Sequence, residues 1–201
     1  MMNRRELLQA IAVATGAAFV YNPAYAIWKP PAAATSVADS GFNAQQVALI
    51  EEICETVIPR TDTPGAKDAG LPAFVIGMIR DCYTPTQQAL FEAGMANVET
   101  RSQLNFGKSF TDASDAERTE LLSAIDSEAL AYNKGEKVVW EGEGFGDLPH
   151  YFTLFKQLII FGFFTSKEGG TEVLRHVEIP GTYKDIPYKE GDRDWATVWP
   201  T

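Results

Sequence analysis

Two histidines, two cysteines and a tract of glycines alternating with acids are the residues of this chain from which chemistry could be built. A zinc site needs several His, Cys or carboxylate ligands at short spacings. His150 and His176 stand far apart, each at a predicted helix edge, with no HExxH, CxxC or CxxxH pattern around them. They read as structural or surface residues. Gly142-Glu143-Gly144-Phe145-Gly146 is not a phosphate cradle, because no third spaced glycine opens a helix, and Glu141, Glu143 and Asp147 would repel a phosphate. No CxxCH for covalent haem occurs, nor a GxSxG or SxxK for a serine nucleophile. Carboxylates are plentiful, yet no spacing singles out a pair for acid and base work. The residues therefore point to no catalytic, metal-binding or cofactor-binding set in this chain.

The elements that would position a site begin after an export-like N-terminus. Arg4-Arg5 precedes an uncharged run from Leu7 to Val20, and Ala24-Tyr25-Ala26 offers the small residues a signal peptidase reads. The run is too short to span a bilayer. Asn3-Arg4-Arg5-Glu6-Leu7-Leu8-Gln9 resembles the twin-arginine pattern, with departures at Asn3, Leu7 and Gln9. We therefore expect residues 1–26 to be a signal that engages the twin-arginine translocase, which moves folded cargo, and the mature protein to reach the periplasm. The chain carries −10, of which Arg4, Arg5 and Glu6 contribute +1, so residues 27–201 carry −11. Nucleic acid is excluded as a partner, since its binding rests on clustered Lys and Arg that release phosphate counterions.

Residues 27–41 are rich in Pro and Ala and read as a linker. From Asn43 the period changes: Val47, Ile50, Ile53, Cys54 and Val57 recur at helical spacing behind an Asn43/Gln46 capping pair. The helix ends at Ile58 and Pro59, and a new one opens at Leu71-Pro72 with Val75, Met78, Ile79 and Cys82 on one face. Between them Pro59-Arg60-Thr61-Asp62-Thr63-Pro64-Gly65 predicts an ordered corner, with Pro64-Gly65 as a type II turn. Thr84 caps a helix carrying Leu90, Phe91, Met95 and Val98, and Ser114/Glu117 caps another with Leu121, Leu122 and Ile125.

Lys134 to Asp147 reads as a glycine-rich loop. The stretch from Tyr151 to Phe164 is apolar nearly all round, which suits the bundle centre or a partner's face. Residues 188–201 form a non-helical tail in which Trp195 and Trp199 should lie against the chain's own body or a partner. The fold class is all-α: a single-domain helical bundle over residues 42–187 with long ordered loops and an extended aromatic tail. Cys54 and Cys82 sit on helices that flank the corner, and two arrangements stay open: an internal disulfide, or two buried free thiols.

The string "ETVIPRTDTPGAKDAGLPAFV" at Glu55–Val75, with "FFTS" at Phe163–Ser166 and the later Val173-Leu174 and Pro180-Gly181-Thr182-Tyr183, resembles the gluconate 2-dehydrogenase subunit 3 family. The resemblance spans about Phe42 to Pro187. It implies a non-catalytic small subunit, with FAD held by a large dehydrogenase subunit that oxidises a sugar or sugar acid. Some such assemblies also work with a multihaem c-type cytochrome. It implies too that the small subunit helps the large one mature and takes it through the twin-arginine route. Pro59, Thr61, Asp62, Pro64, Gly65, Pro180, Gly181 and Tyr183 match its motif blocks and are expected to carry structure and docking. The readings set against this one are an exported enzyme acting alone and a periplasmic ligand-binding module.

Overall fold

The computed structural model describes residues 41–135, 148–177 and 189–196. Five α-helices follow one another: α1 Ala44–Val57, α2 Leu71–Cys82, α3 Pro85–Phe106, α4 Asp115–Gly135 and α5 Tyr151–Thr165, and then a short π-helical turn, Gly169–Val173. The fold is all-α. Among the described residues the β pairing is a single isolated parallel bridge between Arg175 and Trp195.

Three helices start where a reciprocal cap sets them. Asn43 Oδ1 accepts from the N–H of Gln46 while Gln46 Oε1 accepts from the N–H of Asn43, both at 2.9 Å. Thr84 and Gln87 repeat the exchange before α3, and Ser114 and Glu117 before α4. Each exchange satisfies backbone N–H groups that a helix start leaves without partners, so the first turn is fixed locally. Pro72 lies in the first turn of α2, where its missing N–H costs nothing.

Helix α5 is the centre of the bundle and touches each of the other four helices. Phe152, Phe155, Leu158, Ile159 and Phe163 are buried, and the Phe155 ring meets Phe91 of α3 edge-on with centroids 4.6 Å apart. Burying a side chain of this size stabilises a fold by roughly 2–3 kcal/mol. Close approach to α2 depends on Gly162, where an added Cβ would stand 2.5 Å from Leu71 and 2.6 Å from Phe74. One side of α5 is nevertheless open: Ile160 is 40% exposed, Phe161 58% and Phe164 42%. Of the two settings its all-round apolarity suits, the bundle centre takes one side and leaves the other bare.

Two local expectations are corrected. Cys82 is exposed at the last residue of α2, not part of its buried face, which is made by Leu71, Pro72, Val75, Ile76 and Ile79. His176 lies in an extended segment after the π-helical turn, not at a helix edge. Helix α4 runs through Lys134 to Gly135, and the rest of the predicted glycine-rich loop lies outside the described residues, as do the signal at 1–26 and the linker before Gly41.

Candidate functional site

The corner between α1 and α2 is held by two carboxylates. Glu55, in the last turn of α1, accepts the N–H of Arg60 at Oε1 and the N–H of Lys67 at Oε2, both at 2.9 Å. An acid at this end of a helix opposes the macrodipole, and its place here is explained by those two N–H groups. Asp68 does the complementary work from the other side of the loop: Oδ2 accepts the N–H of Gly65 and Oδ1 pairs with the Arg60 guanidinium, each at 3.0 Å. Backbone bonds from Ala66 N to Ile58 O and from Leu71 N to Ala66 O tie the loop to both helices.

Gly65 is needed for a reason other than the one its sequence context suggests. A type II turn would place it at positive φ, and it is not among the glycines with positive φ. An added Cβ would instead collide with the Glu55 carboxylate and the Arg60 amide nitrogen. The left-handed position of the corner is Gly70, at φ 65°, directly before α2.

Lys67, Glu52 and Arg118 anchor the corner to α4. Lys67 Nζ donates to Glu52 Oε1 at 2.6 Å, and Glu52 Oε2 pairs with the guanidinium of Arg118. Arg118 also donates to the carbonyls of Phe110 and Thr111 and lies over the Phe110 ring. Its side chain is only 13% exposed, so its five donors are largely committed within the fold.

The corner meets the end of α5. Arg60, Thr61, Asp62, Thr63, Pro64 and Asp68 line a notch of about 310 Å³ together with Glu168 and Glu172, which follow α5. The two motif stretches, about a hundred residues apart in sequence, therefore share one surface. At the end of α5 Ser166 Oγ donates to Phe163 O and accepts the N–H of Gly169, turning the chain into the π-helical turn. The tail segment returns here as well. Arg175 N donates to Asp194 O, Ala196 N donates to Arg175 O, and the Arg175 guanidinium lies 5.3 Å from the ring centroid of Trp195, which stays 45% exposed.

A larger depression of about 670 Å³ lies elsewhere, over Leu49 and Met95 between α1 and α3, and no motif residue lines it. His150 caps α5 by accepting the N–H of Phe152 at Nδ1, and its ring stacks on Tyr151 at 4.3 Å. Burial holds the His150 imidazole below its ordinary pKa, against the pull of Glu128. Among the described residues no group of three or more His, Cys, Asp or Glu is gathered as a metal site, and no helix is long and apolar enough to cross a membrane.

The structure thus places Thr61, Asp62 and Pro64 on the notch, with Pro59 and Gly65 in the same loop but not lining it, and sets Trp195 against Arg175. Arg4, Arg5, Pro180, Gly181, Tyr183 and Trp199 lie outside the described residues. Cys54 and Cys82 are free thiols, the first buried and the second exposed. Burial, with the charges of Glu55 and Glu51, pushes the Cys54 thiol up to about 12.

Residues 44–181 match the family model described as gluconate 2-dehydrogenase subunit 3. The chain belongs to that family. No curated protein and no solved structure matches it. As a subunit 3-type accessory chain it implies a dehydrogenase partner, and the matched span takes in both stretches that build the corner. Sequence reasoning missed Glu55, Asp68 and Arg118 within this family span. The one available signal was Glu55, an acid placed where the helix dipole disfavours it.

Proposed function

We propose that this chain is the non-catalytic escort and docking subunit of an FAD-dependent dehydrogenase acting on a sugar or sugar acid. It binds the flavoprotein large subunit in the cytoplasm, supports its maturation, and carries it through the twin-arginine translocase to the periplasm. The observation that carries this reading is the corner itself: Glu55, Asp68, Arg60 and the loop N–H groups are committed to one another. Groups used in this way hold the loop in one shape, and a pre-formed surface of that kind suits docking. Membership of the family supports the dehydrogenase partner, and Arg4-Arg5 ahead of an uncharged run supports the route. In this reading FAD belongs to the large subunit, and a c-type cytochrome, where one takes the electrons, joins the same assembly.

The test is co-purification. The full chain, tagged at its C-terminus and expressed with its neighbouring genes, should bring down a large subunit with a flavin absorbance spectrum. Replacing Arg4 and Arg5 by Lys should leave that complex in the cytoplasm. A colourless monomer that is exported alone would overturn the proposal.

A further inference from the structure

The bare side of α5 lies on the helix that leads into the notch, which Glu168 and Glu172 line just past its C-terminal end. Ile160, Phe161 and Phe164 fall on a single helical face, and Phe74 of α2 extends it, with its ring centroid 6.3 Å from that of Phe161. Among the described residues the other exposed large apolar side chains, Leu104, Leu130, Tyr132 and Trp195, are distributed over α3, α4 and the tail. Clustered exposed aromatics beside polar residues mark sites of protein association. The strip is also packed from behind: Gly162 lets α5 sit tightly on α2, and Ser166 ties down the turn that follows. A pre-formed face of this kind loses little freedom on binding.

The charge beside the strip says what covers it. Arg60, Asp62, Asp68, Glu168 and Glu172 line the notch with a net charge of −3, and neighbouring Lys167 and Arg193, whose Nη1 donates to the Glu172 carbonyl at 2.7 Å, bring this to −1. The Arg60 guanidinium is already paired with Asp68, whereas Glu168 and Glu172 make no ion pair among the described residues. Among the described residues the notch thus keeps a net negative charge just past the end of the helix that carries the strip. An anionic lipid surface is repelled by it, and a second copy of this chain would bring the same acids to a two-fold contact.

We propose that the strip of Ile160, Phe161 and Phe164, with the acidic notch at its end, is the surface that holds the dehydrogenase partner. The partner meets it with an apolar patch edged by Lys or Arg. This inference rests on the accessory-subunit reading above and adds the location and chemistry of the contact.

The test uses the full chain co-expressed with the flavoprotein large subunit. Phe161→Asp/Phe164→Asp should lower co-purified flavin at least tenfold while leaving the far-ultraviolet circular dichroism unchanged. Leu104→Asp, on α3 and 79% exposed, should leave the flavin unchanged. Should the double variant misfold, Phe161→Ser alone gives the same readout with a gentler change. Glu168→Lys/Glu172→Lys should slow association about tenfold at low salt and flatten its salt dependence. Full flavin recovery with the double variant would overturn the assignment of this face and leave the accessory-subunit reading standing. A wild-type chain that brings down no flavin would overturn that reading itself. A wild-type homodimer, or binding to phosphatidylglycerol vesicles, abolished by the double variant would give the face to another occupant and overturn the proposal.

Discussion

A Cβ built on Gly65 would stand 2.5 Å from Oε1 of Glu55, whose carboxylate is at the same time the acceptor for two loop N–H groups. The corner is thus closed around the carboxylate, and residue 65 has to be the one without a side chain. Because the clash also involves the Arg60 backbone nitrogen at 2.6 Å, rotation of the Glu55 side chain cannot relieve it.

Gly65→Ala should accordingly destabilise the protein by about 1–3 kcal/mol. Gly77→Ala provides the contrast: it is a mid-helix glycine of α2 where an added Cβ meets nothing within 4 Å. That change should stabilise by roughly 0.5–1 kcal/mol through backbone entropy and helix propensity. Urea unfolding of both variants measures the difference, and equal effects would refute the steric account.

Arg118 links α4 to the corner through Glu52 and Lys67, and its removal leaves the Glu52 charge and two carbonyls with fewer donors. Arg118→Ala should cost about 3 kcal/mol, the lower end of the scale for breaking a buried pair, since Glu52 keeps Lys67. Arg118→Lys should recover less than half of that, because an ammonium cannot span Glu52, Phe110 O and Thr111 O as the planar fork does. Chemical denaturation checks both variants.

The two thiols should differ sharply in reactivity. A buried Cys54 thiol pushed up to about 12 leaves on the order of one thiolate in ten thousand at pH 8. A thiol reagent should therefore titrate a single cysteine, the exposed Cys82, in the folded chain and both in urea. Failure of either to react until a reductant is added would demonstrate a disulfide instead.

Glu117, at the start of α4, contributes to the acid limb of stability. The Lys108 ammonium first, and then the hydroxyl and N–H of Ser114, hold its carboxyl down at about 2 from an ordinary 4.5. A carboxylate depressed in the folded state contributes stability that is present above the unfolded value and lost as pH falls through the folded one. Melting temperatures should therefore decline between pH 4.5 and 2. The decline should be shallower in Glu117→Gln, and added salt should raise the Glu117 pKa seen by carboxyl NMR, since the carboxylate is open to solvent in part.

Much of this architecture was determined by the sequence alone, because its signals act over three or four residues. The pairs Asn43/Gln46, Thr84/Gln87 and Ser114/Glu117 start helices by bonding across one turn, and Pro59 and Leu71-Pro72 bound the corner through backbone sterics. The motif strings that resemble the subunit 3 family are likewise contiguous, and the family match over residues 44–181 agrees with them. What only the tertiary structure decided are relations between elements distant in the chain. Nothing local distinguishes Phe161 and Phe164, which are bare, from Phe155 and Phe163, which are buried; the packing of α5 against four neighbours makes that choice. Nor does any local pattern show that Glu52 reaches Arg118, that Gly65 yields space to Glu55, or that Glu168 and Glu172 complete the notch begun by Arg60 and Asp62. A cap is fixed by the few residues that form it, whereas these contacts exist only once the hydrophobic burial of the whole bundle has set the helices at their final distances.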